Sequence, residues 1–258
     1  MLYYIKIAKK ANNNMEYKTT SEILGKQKEN TRKILTDHRG KNIKDKIAIE
    51  IVKKHLKEKN APILDLGAAS GAFSEQLTES GYKNIYGVDI DNYLNEKYSK
   101  NLSGFKTANL NMDAIPWEEN FFSLVTAWCV LPHLENPFHC VGEIHRILDS
   151  NGIFIFSIPH ITSKPSIKYF LENNEFGSYK NSNNHIIIFT QAIIKKTILK
   201  YFDLVEIKYH IRNKIFTKGY KGYIRKLAYI LSGYLSDKLT KKIEKRWAYN
   251  AIYVLRKK

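Results

Sequence analysis

Apolar positions along this chain fall into two rhythms, one helical and one extended, and they alternate. From Asn42 to Lys59, Ile43, Ile47, Ile51 and Leu56 recur at helical spacing with lysines between, and Ala61-Pro62 ends the pattern. Ile63 to Leu66 is a short apolar run that enters the turn Gly67 to Gly71. Phe73 and Leu77 then mark the inner face of a helix that Ser80-Gly81 stops. Asn84 to Asp89 predicts a second strand, Asp91 to Lys100 a short helix, and Lys106 to Leu110 a faint third strand. Phe121 to Trp128 is rich in β-favouring residues and predicts a fourth. Pro137 to Leu148 reads as a helix, Asp149 to Gly152 as a turn, and Ile153 to Ile158 as a buried fifth strand. Strands alternating with helices imply a parallel sheet joined by right-handed crossovers, an α/β architecture.

After Pro159 the pattern loosens. Residues 160–184, punctuated by Asn and Gly, predict a long irregular excursion. His185 to Phe189 is apolar, and Thr190 is placed to cap a helix over Gln191 to Tyr201. Phe202 to His210 alternates as a strand, the stretch 211–247 is helical and basic, and Asn250 to Leu255 supplies a last strand. The expected division is a basic extension at 1–41, a core at 42–210 and 248–258, and a helical insert at 211–247.

Composition changes this picture in one respect. The net charge of +17 is uneven, with +9 in residues 1–60, +9 in 212–247, +3 in 248–258 and −4 in the remainder. Basic flanks around a slightly acidic middle suit a polyanion or membrane surface, although lysine is frequent along the whole chain and solvates faces generally. Cys129 and Cys140 form neither a disulfide framework nor a metal-binding pattern, so a reducing, cytoplasmic compartment and no metal are expected. No apolar run reaches the roughly 20 residues of a membrane span, and the apolar patch Leu2 to Ile7 lacks a cleavage-site pattern.

The chemistry starts at the turn after the first strand. Small residues there let backbone N–H groups approach a ligand, and the helix that follows adds its positive end. The small residues fall as Gly67, Ala69 and Gly71, not in dinucleotide-fingerprint spacing, and no phosphate-loop lysine follows. Asp89 lies 22 positions after Gly67, at the end of the second strand, where a carboxylate can accept hydrogen bonds from both hydroxyls of a ribose.

The run from Ile63 to Phe73, ILDLGAASGAF, resembles the first motif of class I S-adenosylmethionine (SAM)-dependent methyltransferases, and Gly87 to Ile90, GVDI, resembles their second. Ala114 to Val125, Val130 to Pro137 and Glu143 to Gly152 are similar, in the same order, to later segments of the ubiquinone-biosynthesis-like subgroup, which acts on small molecules and glycans. The resemblance covers about 42–210 plus the last strand. It implies a Rossmann-like, doubly wound, mostly parallel seven-stranded sheet whose last strand is antiparallel, with a helical insert between the final two strands. It implies SAM as cofactor, contacted by Asp65, Gly67, Ala68, Ala69, Gly71, Asp89, Ile90, Asn109, Leu110, Ala127 and Trp128. Departures from the pattern are Ala69 for a glycine, Asn109 or Asn111 for an aspartate, Ser123 for an aspartate and Pro132 for a glutamate.

Methyl transfer to a hydroxyl needs an aligned acceptor and an outlet for its proton. His133, near the end of the fourth strand, and His160, just after the fifth, are the candidate bases, since an imidazole titrates close to neutrality. His185 reads as structural. The absence of an Asn/Asp-Pro-Pro-aromatic motif favours oxygen or carbon over nitrogen acceptors. In the insert, Ile224, Leu227, Ala228, Leu231, Tyr234 and Leu235 form an apolar stripe. The stripe is expected to pack on the domain; the sharper alternative is a cover over the acceptor site that touches anionic lipid on the inner face of a membrane, or a lipid-linked glycan. The leading expectation is O-methylation of a small molecule, sugar or lipid-linked glycan. A tRNA- or rRNA-directed enzyme and a non-catalytic SAM-binding protein are the competing readings.

Overall fold

The computed structural model describes Glu22, Gly25, Lys28, Glu29 and Arg32, and then residues 46–180, 183–211 and 219–258. Most of the basic extension, the start of the first predicted helix and the entry to the insert lie outside the described residues.

The elements follow the predicted order: α1 (Lys46–His55), β1 (Ile63–Leu66), α2 (Ala72–Glu79), β2 (Ile85–Asp89), α3 (Glu96–Ser99), β3 (Gly104–Thr107), β4 (Phe122–Trp128), α4 (Pro137–Ile147), β5 (Leu148–Pro159), α5 (Lys164–Asn173), α6 (Gln191–Thr197), β6 (Phe202–His210), α7 (Gly219–Leu235), α8 (Asp237–Trp247) and β7 (Asn250–Lys257). Seven strands form one sheet in the order β3-β2-β1-β4-β5-β7-β6. All pairings are parallel except those of β7, which runs antiparallel to both β5 and β6. The fold is thus the doubly wound α/β sheet expected.

Both faces of the sheet are covered. Leu64, Leu66, Val125, Phe154 and Phe156 pack with Val141, Ile144 and Ile147 of α4 and with Ile194 of α6. Ile63, Leu124, Ile153 and Ile155 pack on the other side with Ile51 and Val52 of α1 and Phe73 and Leu77 of α2. Side chains alternate across a strand, so β1, buried on both faces, reads as a continuous apolar run broken only by Asp65. Arg146, in the late segment that carries part of the family resemblance, has a structural task. It donates to the carbonyls of Trp117 (2.9 Å) and Ile115 (2.8 Å), while Glu143 accepts from the Ile115 N–H at 2.9 Å. Together they clamp the approach to β4.

The structure departs from the sequence expectations in three places. The turn expected at 149–152 lies within β5, as a bulge. Phe122 pairs with Leu148 and Leu124 with Ile153, so extra β5 residues loop out, and Asp149 accepts from Asn151 N–H and from Ser123 Oγ. The irregular excursion contains the helix α5. Ser163 caps it by accepting from Ser166 N–H, Pro165 sits in its first turn, and Asn174 ends it in the left-handed region. Of the insert's apolar stripe, Ile224, Leu227 and Leu231 do not pack on the domain, and the side chains of Tyr234 and Leu235 lie outside the described residues. α7 leans on α8, while Tyr223, Ile224, Leu227, Ile230 and Leu231 face outward. Among the described residues, no helix is long and apolar enough to cross a membrane.

Candidate functional site

The carboxyl ends of β1, β2 and β4 lie side by side because the strands pair in register. Asp65 is level with Gly87 of β2 and Thr126 of β4, and Leu66 with Val88 and Ala127. Open α/β sheets bind ligands at this edge, where connections diverge to opposite faces. β1, which has β2 on one side and β4 on the other, stands at that divide.

The turn after β1 is held by its neighbours. Gly67 and Ala68 donate to the Val88 carbonyl at 2.8 and 3.2 Å, and Gly71 donates to the Ala68 carbonyl at 2.8 Å. Gly67 has φ +71° and Gly71 φ +82°, and a Cβ on Gly67 would stand 2.6 Å from Cγ2 of Val130. That glycine is required twice over, by conformation and by the close approach of the loop after β4. Ala69 adopts φ +49°, an uncommon geometry for a residue with a Cβ, and its N–H donates to Oδ2 of Asp89 at 2.8 Å. Asp89 Oδ1 accepts from the Ile90 N–H at 2.7 Å. Each carboxylate oxygen therefore keeps a lone pair for a ribose hydroxyl. Burial raises the Asp89 pKa, against the two backbone donors. Asp65 is buried on the same edge, takes a hydrogen bond from Thr126 Oγ1 at 2.9 Å, and is pushed up to about 7, chiefly by burial and further by Asp89.

The remaining predicted contacts fall around this turn. Leu110 and Ala127 are buried in the core. Asn109 follows β3; its Oδ1 accepts from the backbone and side-chain N–H groups of Asn111, and its own N–H donates to Asp113. The side-chain carbonyl of Asn109 is thereby turned into its own loop. Asn111 in turn accepts from the N–H groups of Glu135 and Asn136, tying this loop to the one after β4. Trp128 packs edge-on against Phe73 at 5.3 Å.

The two candidate bases separate. His133 lies on the turn after β4, its Nδ1 donating to the Asn184 carbonyl at 3.0 Å and its ring 4.4 Å from that of His185. A carbonyl can only accept, so the ring proton sits on Nδ1 and Nε2 is the acceptor. Burial, reinforced by His185, lowers the His133 pKa to about 4 and keeps the ring neutral. His160 uses Nε2 to donate to the Lys245 carbonyl at 2.9 Å and so fastens α8 to the end of β5. His185, expected to be structural, donates from Nδ1 to the Ser178 carbonyl at 2.6 Å.

Beside Trp128, this edge holds Tyr179, Asn250 and Tyr93, which are not among the residues the sequence singles out. Among the described residues, buried polar atoms without a hydrogen-bond partner include Trp128 Nε1, Tyr179 Oη, Asn250 Oδ1 and Tyr93 Oη. Asn250 donates through Nδ2 to Cys129 Sγ at 3.5 Å, and Cys129 N–H donates to Ser157 Oγ at 3.0 Å. The Tyr179 ring lies 5.4 Å from that of His185. Trp128 is level with Ser157, and Asn250 with Pro159, across β4, β5 and β7. Tyr179 lies near enough to Cys129, the partner of Asn250, for that group to add to burial in raising the phenol's pKa, which puts Trp128, Asn250 and Tyr179 on one patch. Tyr93 lies near Asp89 and Asp91, whose charges add to burial in raising its pKa to about 12. Asn250 carries a signal, as the polar first residue of an apolar strand; Tyr179 and Tyr93 sit in loops with none. Among the described residues no cluster of His, Cys, Asp and Glu is arranged to hold a metal.

Comparison with known proteins agrees with this geometry. Residues 64–156 match the family model described as a methyltransferase domain. An uncharacterised protein of Methanocaldococcus jannaschii is 29% identical over 164 residues, which is 63% of this chain and 59% of that relative's length. A SAM-dependent methyltransferase from Thermotoga maritima superposes with a TM-score of 0.57 at 16% identity, covering 92% of this chain and 99% of that one. One from Archaeoglobus fulgidus gives 0.54 at 16% identity, covering 87% and 99%. At such identities the superpositions speak for the fold.

Proposed function

We propose that this chain, which carries a class I methyltransferase domain with S-adenosylmethionine as its cofactor, methylates a hydroxyl oxygen of a neutral, polar small molecule or sugar. The observation that carries the reading is the uncharged patch of buried, unpartnered polar atoms at Trp128, Tyr179 and Asn250. Leaving such atoms without partners costs roughly 1–3 kcal/mol each, a penalty that a ligand with matching hydroxyls removes. An indole N–H, a phenol and an amide carbonyl suit hydroxyl groups, which both donate and accept. A cationic amine or a carboxylate would be left without a counter-charge in the patch itself.

The cofactor's residues are Asp89 for the ribose and the turn Gly67 to Gly71 for the methionine end, with Ile90, Asn109 and Leu110 beside the adenine. The group supplies an electrophilic methyl on a sulfonium. Asp65, and more remotely Asp89, would face that cation with negative charge, and the patch would align the acceptor. His133, neutral above about pH 4, accepts the hydroxyl's hydrogen bond and then its proton. A weak base suffices, because an oxygen that has just gained a methyl group is a much stronger acid than an imidazolium.

The test is incubation with SAM and a panel of neutral glycosides, amines, carboxylic acids and tRNA. Demethylated cofactor is quantified by chromatography, and the methylated atom is located by NMR. Turnover confined to hydroxylated acceptors, with the methyl on oxygen, is expected. A methyl on nitrogen, on a carboxylate or on RNA refutes the proposal, as does SAM binding without turnover on any hydroxylated acceptor.

A further inference from the structure

The loop between β2 and α3 carries interactions that neither the cofactor turn nor the acceptor patch uses. It leaves the sheet at Asp89, the carboxylate proposed to hold the ribose, and it is anchored on the turn after β1. The Asn95 N–H donates to the Ser70 carbonyl at 3.1 Å. Leu94 and Tyr98 press on Gly71, where an added Cβ would stand 3.2 Å from Leu94 Cδ2 and 3.0 Å from Tyr98 Cβ. In its middle the loop is reached from far away in the chain. Arg32, the last described residue of the basic extension, lies 59 positions from Asp91 and donates from Nη2 to its Oδ2 at 2.7 Å. Asp91 Oδ1 accepts from the Asn92 N–H at 2.9 Å, and Asn92 Oδ1 from the Leu94 N–H at 3.1 Å. Against these paired groups stands the Tyr93 hydroxyl, which is buried and has no hydrogen-bond partner among the described residues. It lies within reach of the charges of Asp89, Asp91 and Arg32 together.

We propose that this loop is a further part of the cofactor site: the Tyr93 hydroxyl hydrogen-bonds the ribose side of the cofactor, and Arg32 is the positioning residue that holds the loop through Asp91. A buried phenol without a partner forfeits its hydrogen bond, and a ligand that supplies one recovers it. Ribose hydroxyls both donate and accept, as a phenol does, so the two match in either sense. Burial and the two aspartates hold the Tyr93 pKa up at about 12, so the phenol keeps its proton and its role as donor. The exposure of the ion pair sets the scale of the contribution from Arg32. Its side chains are 65% and 30% exposed, and pairs so open to water are worth little. Arg32 therefore adjusts a loop already anchored at Ser70, and its effect fades as salt screens the pair. The inference rests on the placement of the ribose at Asp89.

The experiment is calorimetry of the full chain with S-adenosylhomocysteine, the demethylated cofactor, at 50 and 500 mM salt, paired with thermal unfolding of the unliganded protein. Tyr93→Phe is expected to weaken binding roughly 3–10-fold and to leave the unliganded fold at least as stable as the parent, since no partner loses a bond. A less stable fold with unchanged affinity would make the hydroxyl structural and overturn the proposal. Arg32→Ala is expected to weaken binding about two- to fivefold at 50 mM salt, with the difference gone at 500 mM and Arg32→Lys close to the parent. An affinity that Arg32→Ala leaves unchanged at 50 mM salt, or a loss undiminished at 500 mM, refutes the positioning role. Asp89→Asn separates this proposal from the reading beneath it. If Asp89→Asn weakens binding and Tyr93→Phe does not, the proposal alone fails; if neither does, the ribose placement fails and takes the proposal with it.

Discussion

Replacing Gly67 by alanine tests how the cofactor turn is built, because two independent penalties meet at one atom. Gly67 has φ +71°, and its added Cβ would stand 2.6 Å from Cγ2 of Val130. A left-handed conformation costs a residue with a Cβ roughly 1–2 kcal/mol. The stiffer unfolded chain returns about 0.4–1 kcal/mol of that. Carbon atoms rest about 3.5–4.0 Å apart, so Val130 must retreat by about 1 Å, and such overpacking costs roughly 1–3 kcal/mol. The net expectation is a loss of about 2–4 kcal/mol. At roughly 2–4 °C per kcal/mol for a chain of this size, the melting temperature falls by about 5–15 °C. Urea unfolding followed by circular dichroism measures it, and the control is the double variant with Val130→Ala. Removing the γ-carbons abolishes the clash and leaves the backbone penalty, so the two substitutions should couple by about 1–3 kcal/mol. A single variant within about 0.5 kcal/mol of the parent, or a pair that merely adds, would refute the claim that the β4 loop closes onto the turn at Gly67.

Further expectations concern the charges and the orphaned hydroxyl. Asp89→Asn exchanges a carboxylate for an amide at the proposed ribose position and should weaken SAM binding by about 10–100-fold by calorimetry, since hydrogen bonds to charged groups are worth about 1.5–3 kcal/mol; unchanged affinity would remove Asp89 from the site. Asp65, held up to about 7 by burial, should make SAM affinity fall as pH drops from 8 to 6, because protonation removes the charge proposed to face the cationic cofactor. Its effect on the stability of the unliganded fold has the opposite sign. That contribution is complete below the ordinary carboxylate value of 3.8 and is lost as pH rises through about 7. Asp65→Asn should flatten both profiles, and a wild-type binding profile already flat between pH 6 and 8 would exclude the carboxylate. Tyr179→Phe deletes a buried hydroxyl that has no partner among the described residues, so thermal unfolding of the unliganded protein should shift by roughly 1–3 kcal/mol in favour of the fold; a loss beyond about 1 kcal/mol would mean the hydroxyl is bonded.

The parts of this protein that a sequence makes legible are those whose partners are near in the chain or fixed by strand register. Asp65, Gly67, Gly71 and Asp89 belong to two strand ends and one turn. Parallel pairing of β1 with β2 then brings the Ala69 N–H to the Asp89 carboxylate without help from the rest of the fold. Local signals also exist where sequence and structure part. Ser163 followed by Pro165 is a helix start, but the Asn- and Gly-rich stretch around it obscures the ten residues of α5. The turn expected at Asp149 to Gly152 is right in its chemistry and wrong in its place. Its Asx bond forms, but inside a strand whose partner simply skips the extra residues.

What stays hidden depends on distant pairs. Tyr179 and Asn250, from a loop and the last strand, join Trp128 of the fourth strand, which the family resemblance already marks. Nothing in their spacing says that β7 will enter between β5 and β6 and set Asn250 beside Cys129. The α7 stripe shows the limit in another form. Periodicity locates the apolar face at Ile224, Leu227 and Leu231, but such a stripe has a direction only relative to its own helix axis. Whether the face turns toward a core or away from it is decided by what else the hairpin must satisfy. Here Tyr229 finds Glu244, and Arg225 finds Trp247. Those contacts claim the inner side of α7, and the aliphatic side is left outward.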